Sequence, residues 1–175
     1  MRNLLAGLAL AAMAAPSLAA LPVGSKAPDF TTQGALAGKP FKLHLAEQLK
    51  HGPVVLYFFP QAFTQGCTLE AHAFSDASAE FKKLGARVIG MSRDDLPKLE
   101  RFSVEECRNN FPVATASPAT AQAYDVLGAN HSGATSRTSY VIAQNGKVVA
   151  VHDDSDWSKH VETTLAAVKS LKGGH

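Results

Sequence analysis

The chain has 175 residues, 46% of them apolar and 18% charged, with a formal net charge of +2 and two cysteines. That length supports one domain with a core of its own, and two cysteines are too few for a disulfide scaffold. The balanced charge excludes the dense basic stripe of a nucleic-acid binder and the basic amphipathic face of a membrane-surface helix.

The N-terminus reads as a secretory signal. Arg2 supplies the charged start, Leu4 to Ala15 the apolar stretch, and Ser17-Leu18-Ala19 the small-residue cleavage site, with cleavage expected after Ala19. The apolar stretch falls short of the about 20 residues a spanning helix needs, and no comparable run follows. The expectation is a signal over residues 1–19 and a soluble, exported domain over 20–175, periplasmic or otherwise outside the cytoplasm. Removing Arg2 leaves 16 Lys+Arg against 15 Asp+Glu. Export matters for Cys67 and Cys107, because two thiols in an oxidising compartment persist as a bridge or cycle as a redox couple only if they meet in space.

Leu21 to Pro40, rich in Gly, Pro, Ala and Thr, predicts an irregular lead-in with at most one short strand. A strand is expected at Phe41–Leu43, followed by a central one at Pro53–Phe59, whose unbroken apolar run suits burial on both faces. Leu69, Ala73, Phe74, Ala77, Phe81 and Leu84 recur at helical spacing after Cys67 and stop at Gly85. Arg87–Ser92 predicts the next strand. Asp94 or Asp95 then caps a helix with Pro97 in its first turn and Leu96, Leu99 and Phe102 on one face, ending near Cys107 or Asn109.

Phe111–Thr115 predicts a short strand, Thr120–Leu127 a short helix and Ala129–Ser136 a loop. Ser139–Ala143 and Lys147–Val151 flank Asn145-Gly146, a dipeptide that favours a type I′ hairpin turn. A last helix starts at Asp156 or Ser158 and carries Val161, Leu165, Val168 and Leu171. Strand–helix–strand–helix, then a hairpin and a final helix, predicts a layered α/β domain with a mixed sheet, without internal repeat or linker.

Cys67 ends the segment Pro60-Gln61-Ala62-Phe63-Thr64-Gln65-Gly66-Cys67, at the junction of the central strand and the first long helix. Unpaired N–H groups and the positive end of the helix dipole favour thiolate there, so a reactive cysteine is expected. Taken singly, Cys67 reads as a small buried apolar residue, Thr64 as a helix cap and Arg137 as a solvated strand-start residue or a structural ion pair.

In combination they resemble the peroxiredoxins of the AhpC/TSA superfamily. Pro60, Thr64 and Cys67 stand in that family's Pro-x-x-x-Thr-x-x-Cys arrangement, and Thr64 to Ala71 resembles the bacterioferritin-comigratory, peroxiredoxin Q-like branch. Gly24 to Phe30 looks like the family's opening and Arg137 to Ile142 like its later Arg-bearing strand. The resemblance implies a thioredoxin-like fold, a mixed central sheet flanked by helices, and a thiol-dependent peroxidase. It makes Cys67 the nucleophile, oxidised to a sulfenic acid and at hazard of overoxidation. Arg137 holds the thiolate and donates to the peroxide, Thr64 offers a hydroxyl to the same oxygen, and Pro60 shapes and shields the turn. Glu70 is expected to orient an arginine or cap the helix. The implied partners are a hydroperoxide and a thioredoxin-like or small-thiol reductant, with a monomer expected by resemblance; no cofactor, metal, nucleic acid or membrane is implied.

The chain departs from the branch five residues after Cys67, where many members carry a resolving cysteine and this one has His72, read as an exposed helix residue. Cys107 is the remaining candidate. On a helical wheel it falls about 80° from the Leu96/Leu99/Phe102 face, which suits a partly accessible thiol. A spare or structural thiol, and a single-cysteine mechanism with an external reductant, stay open beside it. The alternatives in function are a thiol-disulfide oxidoreductase, which wants a Cys-x-x-Cys pair, and a redox or metal-handling protein of the same fold, which wants Cys-x-x-x-Cys with a later histidine such as His131. Neither cysteine pair is present. The seven histidines include no pair at the three-to-five-residue spacing of local ligand motifs.

Overall fold

The computed structural model describes residues 20–128 and 133–173; the segment expected to be a signal, the start of the Ala129–Ser136 loop including His131, and the last two residues lie outside it. Its centre is β3 (Val54–Phe58), every residue of which is buried. Val54, Leu56 and Phe58 face one core layer while Val55 and Tyr57, continued by Phe59, face the other, as the two-residue period of a strand dictates.

Around β3 the sheet runs β2–β1–β5–β4–β3–β6–β7, with β1 at Thr31–Leu36, β2 at Lys39–His44, β4 at Arg87–Ser92, β5 at Val113–Thr115, β6 at Thr138–Ile142 and β7 at Val148–Asp153. β3, β4 and β5 are parallel, and the remaining neighbours are antiparallel. One face carries the short helices α1 (Leu45–Leu49) and α4 (Pro118–Ala123). The other carries α2 (Gln65–Lys83), α3 (Leu96–Glu105) and α5 (His160–Gly173), preceded by a 3₁₀ turn at Trp157–Lys159. Both cysteines lie in this second layer. Among the described residues no helix is long and apolar enough to cross a membrane.

Local chemistry accounts for the helix ends. At the C-terminus of α2, Gly85 takes φ +73°, donates to the Lys82 carbonyl, and lets Ala86 donate to the Phe81 carbonyl, which satisfies two of the helix's orphan acceptors. Asp95 caps α3 by accepting from the Lys98 N–H at 3.1 Å.

One element was not foreseen and three expectations are corrected. Helix α1 was not predicted; five residues are too few for a periodic signal. The hairpin turn is not type I′: Gly146 alone has positive φ and donates to Ala143 O at 2.8 Å, so Gln144 and Asn145 are the central pair. The buried stripe of α5 is His160, Thr164 and Val168, with Val161, Leu165 and Leu171 only partly buried at its side. Cys107 lies beyond the end of α3, where a helical wheel no longer applies, and is wholly buried.

Candidate functional site

The strand order places an arginine beside the thiol. β6 pairs antiparallel with β3 so that Thr138 opposes Phe58, which leaves Arg137, one residue earlier, at the end of β3 where the chain turns through Pro60 into α2. Thr64 precedes α2, and Cys67 is the third residue of the helix, where backbone N–H groups have no intrahelical acceptor. The thiol is 1% exposed.

Arg137 reaches three acceptors. Its Nη2 lies 3.5 Å from Cys67 Sγ, its Nη1 donates to Glu70 Oε2, and its Nε donates to the Ser155 carbonyl at 3.0 Å. Burial opposes its charge, but Glu70 and Cys67 outweigh that and hold the guanidinium protonated above its ordinary range. A guanidinium locked on three sides presents a fixed fork to the sulfur and to any oxygen arriving beside it.

Glu70 is fully buried, and burial lifts its carboxyl to about 8 against the pull of Arg137. His160, at the start of α5, is also fully enclosed, and burial lowers it to about 4 although the Asp154 carbonyl supports its charge. Its Nδ1 lies 2.7 Å from Ser139 Oγ and 3.6 Å from Glu70 Oε1. Trp157 and the Arg137 guanidinium both lie close to Gly66.

The structure therefore brings together Cys67, Arg137 and the Glu70 expected to orient it. Thr64 and Pro60 flank them on the entering loop, and the Thr64 hydroxyl donates to the Gln61 carbonyl at 2.9 Å, making no cap bond to the helix. Cys107 sits elsewhere in the same core layer, its thiol pushed well up by burial and by Glu106, and both cysteines are free. Full burial replaces the partly accessible thiol expected from sequence.

His72 also differs from expectation. It is half-buried and bonds Glu106 Oε2 at 2.6 Å, while Arg108 pairs with Asp76 and Asn110 donates to Ser75. These contacts pin the segment around Cys107 onto α2. His160, Ser139, Trp157 and the Ser155 carbonyl were not foreseen. The only available signal was the 160/164/168 spacing, which aligns a histidine and a threonine with Val168.

A buried thiol at a helix start, with a fixed guanidinium at hand, on a thioredoxin-like fold, fits a thiol-dependent peroxidase. The sequence model of the AhpC/TSA family matches residues 23–151. The chloroplastic peroxiredoxin Q of Sedum lineare is 32% identical over 150 residues, 85% of this chain and 78% of that protein. Peroxiredoxin Bcp of Escherichia coli K12 is 33% identical over 122 residues, 66% of this chain and 78% of that one. The crystal structure of peroxidoxin BcpB from Mycobacterium tuberculosis superposes with a TM-score of 0.73 at 31% identity, covering 85% of this chain and 97% of the other. The chain belongs to the AhpC/TSA family, as a peroxiredoxin of the peroxiredoxin Q and Bcp branch.

Proposed function

We propose that Cys67 is the peroxidatic residue, that Arg137 and Thr64 hold the peroxide against it, and that Cys107 resolves the product. The observation that carries this reading is the Arg137 guanidinium lying 3.5 Å from Cys67 Sγ at the start of α2. The thiolate sulfur attacks one peroxide oxygen; the S–O bond forms, the O–O bond breaks, and water or alcohol leaves after the departing oxygen takes a proton. Arg137 donates to the oxygen on which charge builds, and the Thr64 hydroxyl turns from Gln61 to the same oxygen.

The Cys107 sulfur then attacks the sulfenic sulfur of Cys67; the S–S bond forms, the S–O bond breaks, and the departing hydroxide takes the proton given up by the Cys107 thiol and leaves as water. Arg108 and Asn109, both at positive φ directly after Cys107, make this the segment that unwinds to bring Cys107 out of the core. A thioredoxin-like protein or small thiol reduces the disulfide. The enzyme acts as a monomer in an exported compartment after cleavage behind Ala19.

The test uses reduced mature protein with hydrogen peroxide and a recyclable thiol donor. Turnover is expected, and Cys67→Ser abolishes it; peroxide consumption by Cys67→Ser refutes the assignment. Mass spectrometry after one equivalent of peroxide shows a Cys67–Cys107 bridge. If Cys107→Ser leaves donor-coupled turnover unchanged, Cys107 has no resolving role. Sedimentation of the reduced protein tests the monomer, and the N-terminal residue of exported protein tests the cleavage.

A further inference from the structure

Behind Arg137 lies a buried acid and base that the attack on peroxide does not itself employ. Glu70 gives Oε2 to Arg137, while its Oε1 finds no hydrogen-bond partner. That oxygen faces His160 Nδ1 at 3.6 Å. The other ring nitrogen, Nε2, lies 3.0 Å from the Asp154 carbonyl, which can only accept, so Nε2 carries a hydrogen. In a neutral ring Nδ1 is then a lone pair that accepts from Ser139. With Glu70 ionised, a carboxylate oxygen and an imidazole lone pair would confront one another, fully buried, with no hydrogen between them. In that state the pair is one proton short.

We propose that Glu70 and His160 hold one shared proton, and that through it His160 acts as a positioning residue for the peroxidatic site. While the proton is present, the charge of Arg137 is left to Cys67; when it is lost, the Glu70 carboxylate draws Arg137 to itself. The proposal rests on Cys67 being the reacting thiol.

The surroundings favour one proton and no more. The groups facing the pair are Cys67 on α2, Tyr57 on β3, Arg137 and Ser139 at the start of β6, His152 on β7 with its ring centre 4.5 Å from that of His160, and Asp154 and Asp156 after β7. Burial pushes Tyr57 far up, so it stays neutral. With Cys67 as thiolate and Arg137 protonated, a singly protonated Glu70–His160 pair brings the enclosed charge to zero. Without that proton it is −1 in a layer closed to water, the costlier state. Burial acts on the two partners in opposite senses, raising Glu70 and lowering His160, so that a single proton is retained around neutrality. His160 is fixed in place by Ser139, by Asp154, and by Thr164, which donates to its carbonyl at 2.7 Å.

The experiment measures the rate of Cys67 oxidation by hydrogen peroxide against pH, read from the fluorescence of Trp157, the one tryptophan in the chain. In the unaltered protein the rate declines about tenfold on the alkaline side as the pair loses its proton, the effect of roughly one pKa unit on the thiolate's support. Glu70→Gln presents an oxygen to Arg137 and an amide N–H to Nδ1, so it mimics the protonated pair and lacks the decline. His160→Gln lowers the neutral rate by roughly tenfold when Glu70 is intact, and by less than about twofold in the Glu70→Gln background, because it acts through Glu70. A decline that persists in Glu70→Gln, or a His160→Gln loss of equal size in both backgrounds, overturns the proposal. If His160→Gln does not fold, the Glu70→Gln profile decides alone. Cys67→Ser, run in parallel, separates the two readings: oxidation that survives it refutes the assignment of Cys67, whereas its loss together with an unchanged decline in Glu70→Gln refutes only the shared proton.

Discussion

Replacing Arg137 with methionine keeps much of the side-chain volume and removes the guanidinium from Cys67, Glu70 and Ser155 together. At 3.5 Å, two unit charges in an effective dielectric of about 20 attract by about 5 kcal/mol, an upper figure. Arg137 also donates to Glu70 and to the Ser155 carbonyl, so the net value of a charge-assisted hydrogen bond, about 1.5–3 kcal/mol, is the better guide. That corresponds to a roughly ten- to hundredfold fall in the rate of reaction with hydrogen peroxide. Stopped-flow fluorescence of Trp157 under single turnover measures the step directly. The fold survives at neutral pH because Glu70 already keeps its proton there and leaves no bare charge behind, and stability declines on the alkaline side where that proton is lost. Arg137→Lys recovers part of the rate, since it restores the charge without the fork. A well-folded Arg137→Met protein reacting within threefold of the unaltered enzyme would refute the role of the guanidinium.

Three further outcomes are expected. Gly90→Ala sets a Cβ 2.8 Å from the Tyr57 ring and destabilises the domain by about 1–3 kcal/mol; an unchanged thermal midpoint contradicts the packing argument. Thermal stability depends on pH through two opposed groups. Folded Glu70 keeps its proton up to about 8 whereas the unfolded chain releases it from about 4.5, so its contribution falls as pH rises through that window. Folded His160 stays neutral down to about 4 whereas the unfolded chain protonates below about 6.5, so stability falls as pH drops from 6.5 to 4. Between pH 4.5 and 6.5 the slopes oppose, above it the Glu70 slope stands alone, and midpoints of Glu70→Gln that fall just as steeply from pH 6.5 to 8 would contradict this assignment. Finally, His72→Ala releases Glu106 and loosens the segment that covers Cys107; at about 1 kcal/mol for a partly buried pair, alkylation of Cys107 in the reduced protein accelerates by roughly fivefold. Unaltered alkylation would mean that Ser75 and Asp76 hold the segment without it.

Where local rules act alone, the chain is readable. The apolar run at Val54–Phe58, the Asp95 cap with Pro97 behind it, and the Gly85 stop each follow from a handful of neighbouring residues, and the corresponding elements form where expected. Reading failed where an element is too short for a period, as in α1, or where the period ends before the residue of interest. Cys107 belongs to the second kind. Projected on the wheel of α3 it stood on a flank, but the helix stops at Glu105, the chain folds under, and the thiol enters the core. His72 misled for a related reason: its exposure is set by Glu106, which no sequence spacing brings near it.

The position of Cys67 at the first turn of a helix is a local matter, decided by an apolar strand, a proline, a threonine and the helical spacing that follows. Its charge environment is not local. Arg137 arrives because β6 pairs with β3 in a register that opposes Thr138 to Phe58, and Glu70 meets His160 because α5 packs its first turn against the same layer. Those partners lie 70 and 90 residues apart along the chain, too far for any spacing rule to join them. Side-chain chemistry singled out Cys67 as the candidate nucleophile. Strand register and helix packing decided what stands beside it, because burial in a shared layer is a property of the assembled core.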